Sequence, residues 1–555
     1  MDTVLNKAKS KDPQILLNSE MRVMDSMSTN IKADKNSNSS NRLKEFLSGS
    51  KPAQITTLAS ILMILVSARL LLSLIRRCAL DADCYAYWSD YLTVNNWKDF
   101  YKDISYAIYG PVYLYFMWIT GLVMKAWPLF LLLINLPGSL LIYHLHKKNE
   151  VSRSTRFTPV LYSYLGLIIT SAIVLLFLSS SDPLTIKGYM IKMWYVLFDI
   201  LGGILIYKIS KKFNKEGLGI LVGSIYILNP GIFVNSSIWG QLDTMIASMM
   251  LLSIYLLCTG RKLPGIAMVV ISVMTKPQSI VVLPVAGILF LTFLPWSKIK
   301  KDKLQFAKES FITIALSILT TLVMYTALFI PFYNPSVSAV SEGSHFGNIF
   351  AFAQDGSFLA KVLDFFTWIP SRYFSGVGHY AYATANAFNL WTLFGGQTTP
   401  STKPFWGLTY NSWGTIFFFI VILLTSVFLS KELLKKDGNR MFAACFAVFF
   451  INTGFFTLYT NIHERYLLPS IIFAMVCIIW DRRFIFVSLL VSISSFINQY
   501  YIYYLANSDK NVWVAKYDPL AVITAIITVA AMLYSIYLLF HMASAKRKTV
   551  PKTAK

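Results

Sequence analysis

The fold is decided by long apolar stretches, the first of which is AQITTLASILMILVSARLLLSLI at residues 53–75, followed directly by RRCALDADCYAYW at residues 76–88. The first string is long enough to cross a bilayer as a helix, for which about 20 apolar residues suffice. Similar stretches recur along the chain: of its 555 residues, 55% are hydrophobic and only 14% are charged. This composition predicts an all-α polytopic membrane protein.

Basic residues outnumber acidic ones, and the formal net charge is +23. In a soluble chain this excess would indicate nucleic-acid binding. Here lysine and arginine cluster in short segments between apolar stretches, so we expect no nucleic-acid partner and instead expect contact with membrane lipid. By the positive-inside rule these segments are cytoplasmic. They are residues 42–51, 146–156, 208–215, 261–262, 298–303, 431–440, 481–483 and the tail from Lys546.

This charge pattern predicts a multi-pass cell-membrane protein with about 14 transmembrane helices and both termini in the cytoplasm. Residues 1–52 are expected to be a disordered cytoplasmic tail, residues 53–541 the membrane domain, and residues 542–555 a basic tail. External loops are predicted at about 76–126 and 332–412. Residues 106–125 are apolar, but counting them as a span would invert the later loops, so an interfacial or re-entrant helix is predicted there. The second loop is predicted to fold as a cap.

Two acidic residues, Asp81 and Asp83, follow the first span on its outer side. If the backbone turns there, both carboxylates can face one point. The pair would then suit a general base facing an acceptor hydroxyl, or a divalent metal. A solvated loop with incidental acids is the alternative.

Further polar residues occur at two outward turns. In the first, Trp239-Gly-Gln241-Leu-Asp243, the local pattern favours helix capping by Asp243 and an interfacial tryptophan. In the second, Thr275-Lys276-Pro-Gln278, a lysine on the outer side opposes the usual bias and indicates an anionic ligand.

The most concentrated polar group is His463-Glu464-Arg465, which also lies on the outer side. Arg465 can fork onto a phosphate, with His463 as a second donor. In the alternative, Glu464 only neutralises Arg465. Asp199 lies within an apolar span and needs a partner, for which Lys192 is a candidate.

These motifs together resemble a known family, the bacterial mannosyltransferase-like proteins related to the second mannosyltransferase of GPI-anchor synthesis, within the C-type glycosyltransferase superfamily. The resemblance covers roughly residues 53–505. It rests on Asp81…Tyr85…Trp88, Tyr109-Gly-Pro…Tyr113-Leu-Tyr115, Asn229-Pro…Trp239-Gly-Gln-Leu-Asp243, Lys276-Pro-Gln278, Asn386-Ala-Phe-Asn389-Leu-Trp391 and His463-Glu-Arg-Tyr466.

The resemblance implies a hexosyltransferase that uses a polyprenyl-phosphate sugar donor and a glycan, glycolipid or protein acceptor, with its active site outside the cytoplasm. Asp81 matches the family's catalytic loop aspartate, and Asp83 is its neighbour. The expected substrate-binding residues are Arg465, His463, Glu464, Lys276, Gln278, Asp243, Gln241, Trp239, Tyr109 and Asn386. Where relatives often have Asp-Tyr-Pro-Pro, this chain has Ile108-Tyr109-Gly110-Pro111. The acid of that motif is absent here, so the resemblance makes no cofactor certain and leaves a divalent metal open.

The chemistry of such a donor agrees with these residues. A lipid phosphate is already a good leaving group, so the enzyme needs a base for the acceptor and cations for the departing phosphate. A covalent intermediate would need a second, close carboxylate, so single displacement with inversion is expected. The alternative is a lipid-linked sugar flippase or another polytopic transporter.

Overall fold

The computed structural model describes residues 51–104, 107, 109–147, 157–334, 362, 365–366, 381–508 and 511–544. The principal helices are α1 (Lys51–Leu72), α2 (Ala79–Val94), α3 (Pro111–Val123), α4 (Trp127–Lys147), α5 (Phe157–Ser179), α6 (Pro183–Lys212), α7 (Glu216–Ile227), α8 (Asp243–Cys258), α9 (Lys262–Thr275), α10 (Leu283–Leu291), α11 (Lys303–Phe329), α12 (Tyr410–Leu434), α13 (Arg440–Leu458), α14 (Leu468–Ile478), α15 (Phe484–Ala506) and α16 (Pro519–Ser544). The predicted terminal tails lie outside the described residues, apart from the ends of α1 and α16.

Short elements connect these helices. They are the α-helical turns Phe100–Asp103 and Pro230–Phe233, the π-helix Val234–Trp239, the 3₁₀ turns Trp97–Asp99, Met124–Ala126, Pro277–Val282, Trp296–Lys298, Ile330–Phe332 and Leu390–Phe394, and a hairpin of β1 (Pro404–Phe405) and β2 (Leu408–Thr409).

The chain is all-α and membrane-spanning, as predicted, but the predicted count of 14 spans is wrong. Within the described residues, nine helices are long and apolar enough to cross a membrane, or ten if the bent pair Glu216–Ile227 and Pro230–Trp239 is one span. Four more apolar helices have only 10 to 17 residues in their apolar part: Thr56–Leu72, Asp243–Cys258, Lys262–Thr275 and Leu468–Ile478. The sequence count included these segments because hydropathy does not reveal where a turn cuts an apolar stretch short.

The core lies around α13 and α14, whose side chains are almost all buried. The outward side chains of α4, α5 and α11 are large and apolar, as expected for surfaces that face lipid. Helices α6 and α7 approach closely at two glycines. A Cβ built on Gly203 would lie 3.1 Å from the carbonyl oxygen of Gly223, and one built on Gly223 would lie 2.8 Å from that of Gly203. Small residues at this crossing therefore permit contact between the backbones.

The basic turns gather at one end of the helix bundle. The Lys215 ammonium donates to the carbonyl oxygen of Ile479, and the Arg440 guanidinium donates at 3.4 Å to that of Leu257 at the end of α8. Helix α8 is 16 residues long, or about 24 Å, and its other end carries Asp243. The described turns that the charge pattern placed on one side thus share an end, and Asp243 lies at the opposite one.

The segment predicted as a separate interfacial or re-entrant helix has a different form. Helix α3 continues through the turn Met124–Ala126 into α4, so that Pro111–His146 is one apolar helical stretch of 36 residues. Tyr113, which lies in this stretch, is fully buried, and its hydroxyl lies 2.6 Å from that of Tyr195. Helix α3 is therefore an internal part of the bundle that packs against α2, α6 and α9.

The described part of the predicted cap, residues 381–412, folds against the bundle; residues 335–361, 363–364 and 367–380 lie outside the described residues. Its backbone bridges at Ala385 and Asn386 both pair with His463. The backbone N–H of Phe388 donates to Asn498 on α15 at 2.8 Å, and Thr528 on α16 donates to the Phe388 carbonyl oxygen at 2.9 Å. The end of the predicted external loop is thus fixed to helices α15 and α16 and to the backbone at His463.

Candidate functional site

The two acidic residues of the first loop diverge. They lie in helix α2, where residues two positions apart do not face one another, so the turn that a shared point would require does not occur at these residues. Asp81 is partly buried, and its Oδ2 accepts a hydrogen bond from the Trp239 indole N–H at 2.8 Å. Asp83 is 52% exposed and pairs with Arg77 at 3.0 Å. Only Asp81 joins the polar cluster.

Trp239 reaches Asp81 because of an irregular turn between Pro230–Phe233 and α8. The π-helix Val234–Trp239 ends at Gly240, whose φ of 88° is left-handed. The N–H groups of Gly240 and Gln241 both donate to the Asn235 carbonyl oxygen at 2.9 Å. Residues after a π-helix are displaced relative to a regular helix, and such turns are frequent at functional sites.

Asp243 is buried and lies between the polar side chains of Lys276 and Gln278. It begins α8, but its side chain makes no capping hydrogen bond, so the capping interpretation favoured by the local pattern is wrong. Its Oδ1 instead accepts from the Lys276 ammonium at 2.6 Å and from the Gln278 amide at 2.9 Å. Burial lowers the pKa of Lys276 to about 8, with the Asp243 carboxylate acting in the opposite direction.

Arg465 stands beside this pair. Its Nη1 pairs with Glu464, and its Nε lies 3.7 Å from Oδ2 of Asp243. Burial would raise the pKa of Glu464, but the charges of Arg465 and His463 bring it down to about 2. Although burial acts in the other direction, the Glu464 carboxylate raises the pKa of Arg465. Both groups are therefore charged at neutral pH. His463 lies on the other side of Glu464, with its Nδ1 3.7 Å from Oε2.

Aromatic side chains enclose the cations. The Lys276 ammonium lies 5.7 Å from the ring centre of Tyr109 and 5.4 Å from that of Tyr466. The Arg465 guanidinium carbon lies 5.9 Å from the Trp239 ring. These distances suit cation–π attraction, which holds the charges while leaving hydrogen-bond donors available.

A chain of hydrogen bonds extends from Tyr109 through Tyr85 to Gln241, beside Trp239. The hydroxyl of Tyr85 lies 3.0 Å from that of Tyr109 and donates at 3.0 Å to Oε1 of Gln241. Both tyrosines come from the first predicted loop, so α2 and the start of α3 supply one side of the site.

Asn386 has a supporting position. Its side chain donates to the Val512 carbonyl oxygen at 2.9 Å and accepts from the Val514 N–H at 3.1 Å. Its backbone bridges to His463. It therefore orders the loop behind His463, and its side chain is used by structural contacts.

Asp199 has a different partner from the one predicted. It pairs with Arg69 of α1, and both side chains are fully buried. Ser236 of the π-helix also donates to the same Asp199 oxygen, at 2.6 Å. Lys192 instead donates to the carbonyl oxygens of Ser73 and Ile75, at 3.2 and 2.8 Å, beyond the end of α1.

Sequence reasoning missed Arg69, Ser236 and Gln499, which position the Trp239 turn. Gln499 accepts from Asn235 at 2.8 Å, and Asn235 also lies 3.4 Å from Asp243. A signal for Arg69 exists: a lone arginine in one apolar span and a lone acid in another predict an intramembrane pair. Serines and glutamines in a span give no comparable signal.

No group of three or more His, Cys, Asp or Glu side chains that could hold a metal ion occurs in the part of the chain that the structure describes. Within the cluster, Asp243 neutralises Lys276 and Glu464 neutralises Arg465. The arrangement offers one partly exposed carboxylate, Asp81, close to cations whose charge is balanced but whose donors are not all used.

No family model matches this chain, and no curated protein is significantly similar to it. The resemblance described above therefore rests on the short motifs, and the function is argued from the geometry of the site.

Proposed function

We propose that this protein is an integral-membrane hexosyltransferase, mannosyltransferase-like, that moves a sugar from a polyprenyl phosphate to an extracytoplasmic glycan, glycolipid or protein acceptor. The observation that carries the proposal is the convergence of Asp81, Trp239, Asp243, Lys276 and Arg465 at one end of a membrane-spanning bundle. These residues come from distant parts of the chain. An ionisable cluster of this kind in a membrane protein is a candidate functional site.

Asp81 has the properties of a general base. Its carboxylate is partly exposed, while the Trp239 N–H holds it in one orientation. Asp243 and Glu464 are less suited, because each is buried and engaged by a cation. Asp83 faces away. With one available carboxylate, attack by an acceptor hydroxyl in a single displacement with inversion is the favoured course.

Arg465 is the best candidate for holding the donor phosphate. Its side chain keeps 14% of its exposure, and Nη2 makes no hydrogen bond with any described residue. A guanidinium offers paired donors that match phosphate oxygens. The Lys276 ammonium supplies a second charge at the same place, which would stabilise the negative charge that develops as the sugar leaves.

The positive-inside rule puts the end that holds Lys215, Arg440 and Arg483 in the cytoplasm and therefore the site outside it. Two exposed positions test this orientation. A cysteine at Ser180 should react with a membrane-impermeant maleimide in intact cells, and a cysteine at Lys301 should not. The reverse labelling would place the site in the cytoplasm.

The activity itself is tested with purified protein in liposomes. The probes are synthetic polyprenyl-phosphate mannose and polyprenyl-phosphate glucose, each radiolabelled in the sugar, with a membrane glycolipid extract as acceptor. We expect labelled sugar in the acceptor with the unmodified protein and almost none with Asp81→Asn. Absence of transfer from both donors, at full donor binding, would refute the proposal.

A transporter is the second candidate, because the ion pair of Arg69 and Asp199 lies inside the bundle, as in many transporters. The pair is fully buried, however, and each charge has its partner. The same liposomes distinguish the two functions. Movement of the labelled lipid between leaflets without transfer of its sugar would favour a flippase.

A further inference from the structure

The π-helix that carries Trp239 is held to five helices. Asn235 contacts Gln499 of α15 and Asp243 of α8, at 2.8 and 3.4 Å. Ser236 donates to Asp199 of α6 at 2.6 Å and receives a hydrogen bond from Arg69 of α1. Trp239, at the end of the same turn, donates to Asp81 of α2.

A π-helical turn contains one residue more than a regular helical turn needs. Without external contacts it would relax to an α-helix, and the side chains that follow would rotate by about 100° around the axis, which is one residue of an α-helix. The indole of Trp239 would then point away from Asp81. The π-helical form of this turn therefore depends on contacts with other parts of the bundle.

The Arg69 and Asp199 pair is suited to this task. Both side chains are completely buried, and Arg69 also donates at 3.3 Å to the Ile227 carbonyl oxygen, which precedes the turn. A buried ion pair is weak evidence for stability, because desolvation offsets much of the attraction, whereas a role in conformational specificity is attested in other systems. The Ser236 hydroxyl bonds directly to this fixed charge pair.

We propose that Arg69 and Asp199 are positioning residues that, through Ser236, hold the Trp239 indole against Asp81 and so set the orientation of that carboxylate. This inference rests on the proposed function only for its effect on turnover. The positioning itself is a property of the protein without substrate and can be measured separately.

The decisive variant is Ser236→Ala, which removes the connecting hydroxyl and leaves the ion pair. Ser237→Ala is the matched control: Ser237 is buried in the same turn, and its hydroxyl has no hydrogen-bond partner among the described residues. The pair variant Arg69→Met with Asp199→Leu removes both charges together, which avoids an unpaired buried charge.

The measurement is fluorine NMR of detergent-solubilised protein labelled with 5-fluorotryptophan. The chain has 13 tryptophans, and the signal missing from Trp239→Phe is that of Trp239. Asp81→Asn should shift this signal, because the indole N–H then faces an amide in place of a carboxylate. In the Ser236→Ala background the same Asp81→Asn change should shift the signal much less, because the indole is no longer held against residue 81.

The same reduction in the pair variant and an undiminished shift in the Ser237→Ala background would support the proposal. An undiminished shift in the Ser236→Ala background would overturn it, and so would a Trp239 signal that does not respond to Asp81→Asn. If sugar transfer also proves correct, Ser236→Ala should lower kcat by about 10-fold to 100-fold with little change in KM. If no transfer is found, the proposed function fails, and the NMR result still decides the positioning role.

Discussion

Two arginines, Arg465 and Arg69, have similar partners and different surroundings. Each pairs with a carboxylate and lies near further polar groups. Arg465 keeps 14% exposure and an unused terminal nitrogen among the described residues, whereas Arg69 has no exposure. A charge that retains donors towards an accessible surface can bind a ligand. A charge whose whole surface is covered can only hold elements together. The exposure of a spare donor, rather than charge alone, distinguishes the two roles.

The largest expected effect concerns the carboxylate beside these cations. Asp81→Asn keeps the size of the side chain and removes its basicity, so sugar transfer should fall by a factor of about 100 to 10,000. Asp83→Asn is the matched control on the same helix, where the carboxylate pairs with Arg77 outside the cluster. Initial rates of label transfer in liposomes measure both. Normal turnover in Asp81→Asn with loss in Asp83→Asn would move the role of base to Asp83.

The covered arginine should matter for stability. Arg69→Met alone leaves the Asp199 charge buried and unpaired, which typically costs about 3 to 5 kcal/mol in the free energy of unfolding. Arg69→Met combined with Asp199→Leu should recover most of that loss. Thermal unfolding in detergent measures the two variants. If the double variant is as unstable as the single one, the pair is not a self-contained structural unit.

The partly exposed arginine should matter for binding. Arg465→Lys keeps the charge but loses the planar pair of donors, so polyprenyl-phosphate affinity should fall by about 10-fold to 100-fold at an unchanged melting temperature. Arg483→Lys at the basic end, where Arg483 pairs with Asp481, is the matched control. A lower melting temperature with unchanged affinity would instead make Arg465 a structural residue like Arg69.

The sequence predicted which residues form the candidate site better than it predicted their individual contacts. The charge bias along the chain correctly grouped Asp81, Asp243, Lys276 and Arg465, because flanking lysines and arginines carry that information. It could not separate Asp81 from Asp83, because the separation depends on α2 being helical at these residues. The predicted partner of Asp199 was wrong for a related reason. Proximity along the chain favoured Lys192, whereas helix packing brings Arg69 to Asp199.

The span count failed where turns interrupt apolar stretches. Helices α8, α9 and α14 are shortened at their site ends by turns at residues 240–242, 276–282 and 459–467. Trp239 directly precedes the first of these turns, and the other two carry Lys276 and Arg465. The irregular segments that make the count unreliable are therefore the ones that assemble the site, since backbone that is not helical is tolerated in a membrane protein where it is buried or lines a cavity.

The smallest expected effect is a pH dependence of donor affinity that arises from Lys276. It extends the comparison of the two arginines to a second cation of the site. Because burial lowers the pKa of Lys276 to about 8, its ammonium form is present below that pH and is lost above it. Donor affinity should therefore decrease by up to about 10-fold between pH 7 and pH 9.5, since one of the charges facing the phosphate disappears. Glu464, with a pKa of about 2, and Tyr109, with a pKa of about 12, keep their protonation states over this range.

Lys276→Arg should remove the decrease because a guanidinium stays charged, while Lys215→Arg at the basic end should leave it in place. Equilibrium binding of polyprenyl phosphate at several pH values measures the three proteins, and a decrease that persists in Lys276→Arg would assign the titration to another group.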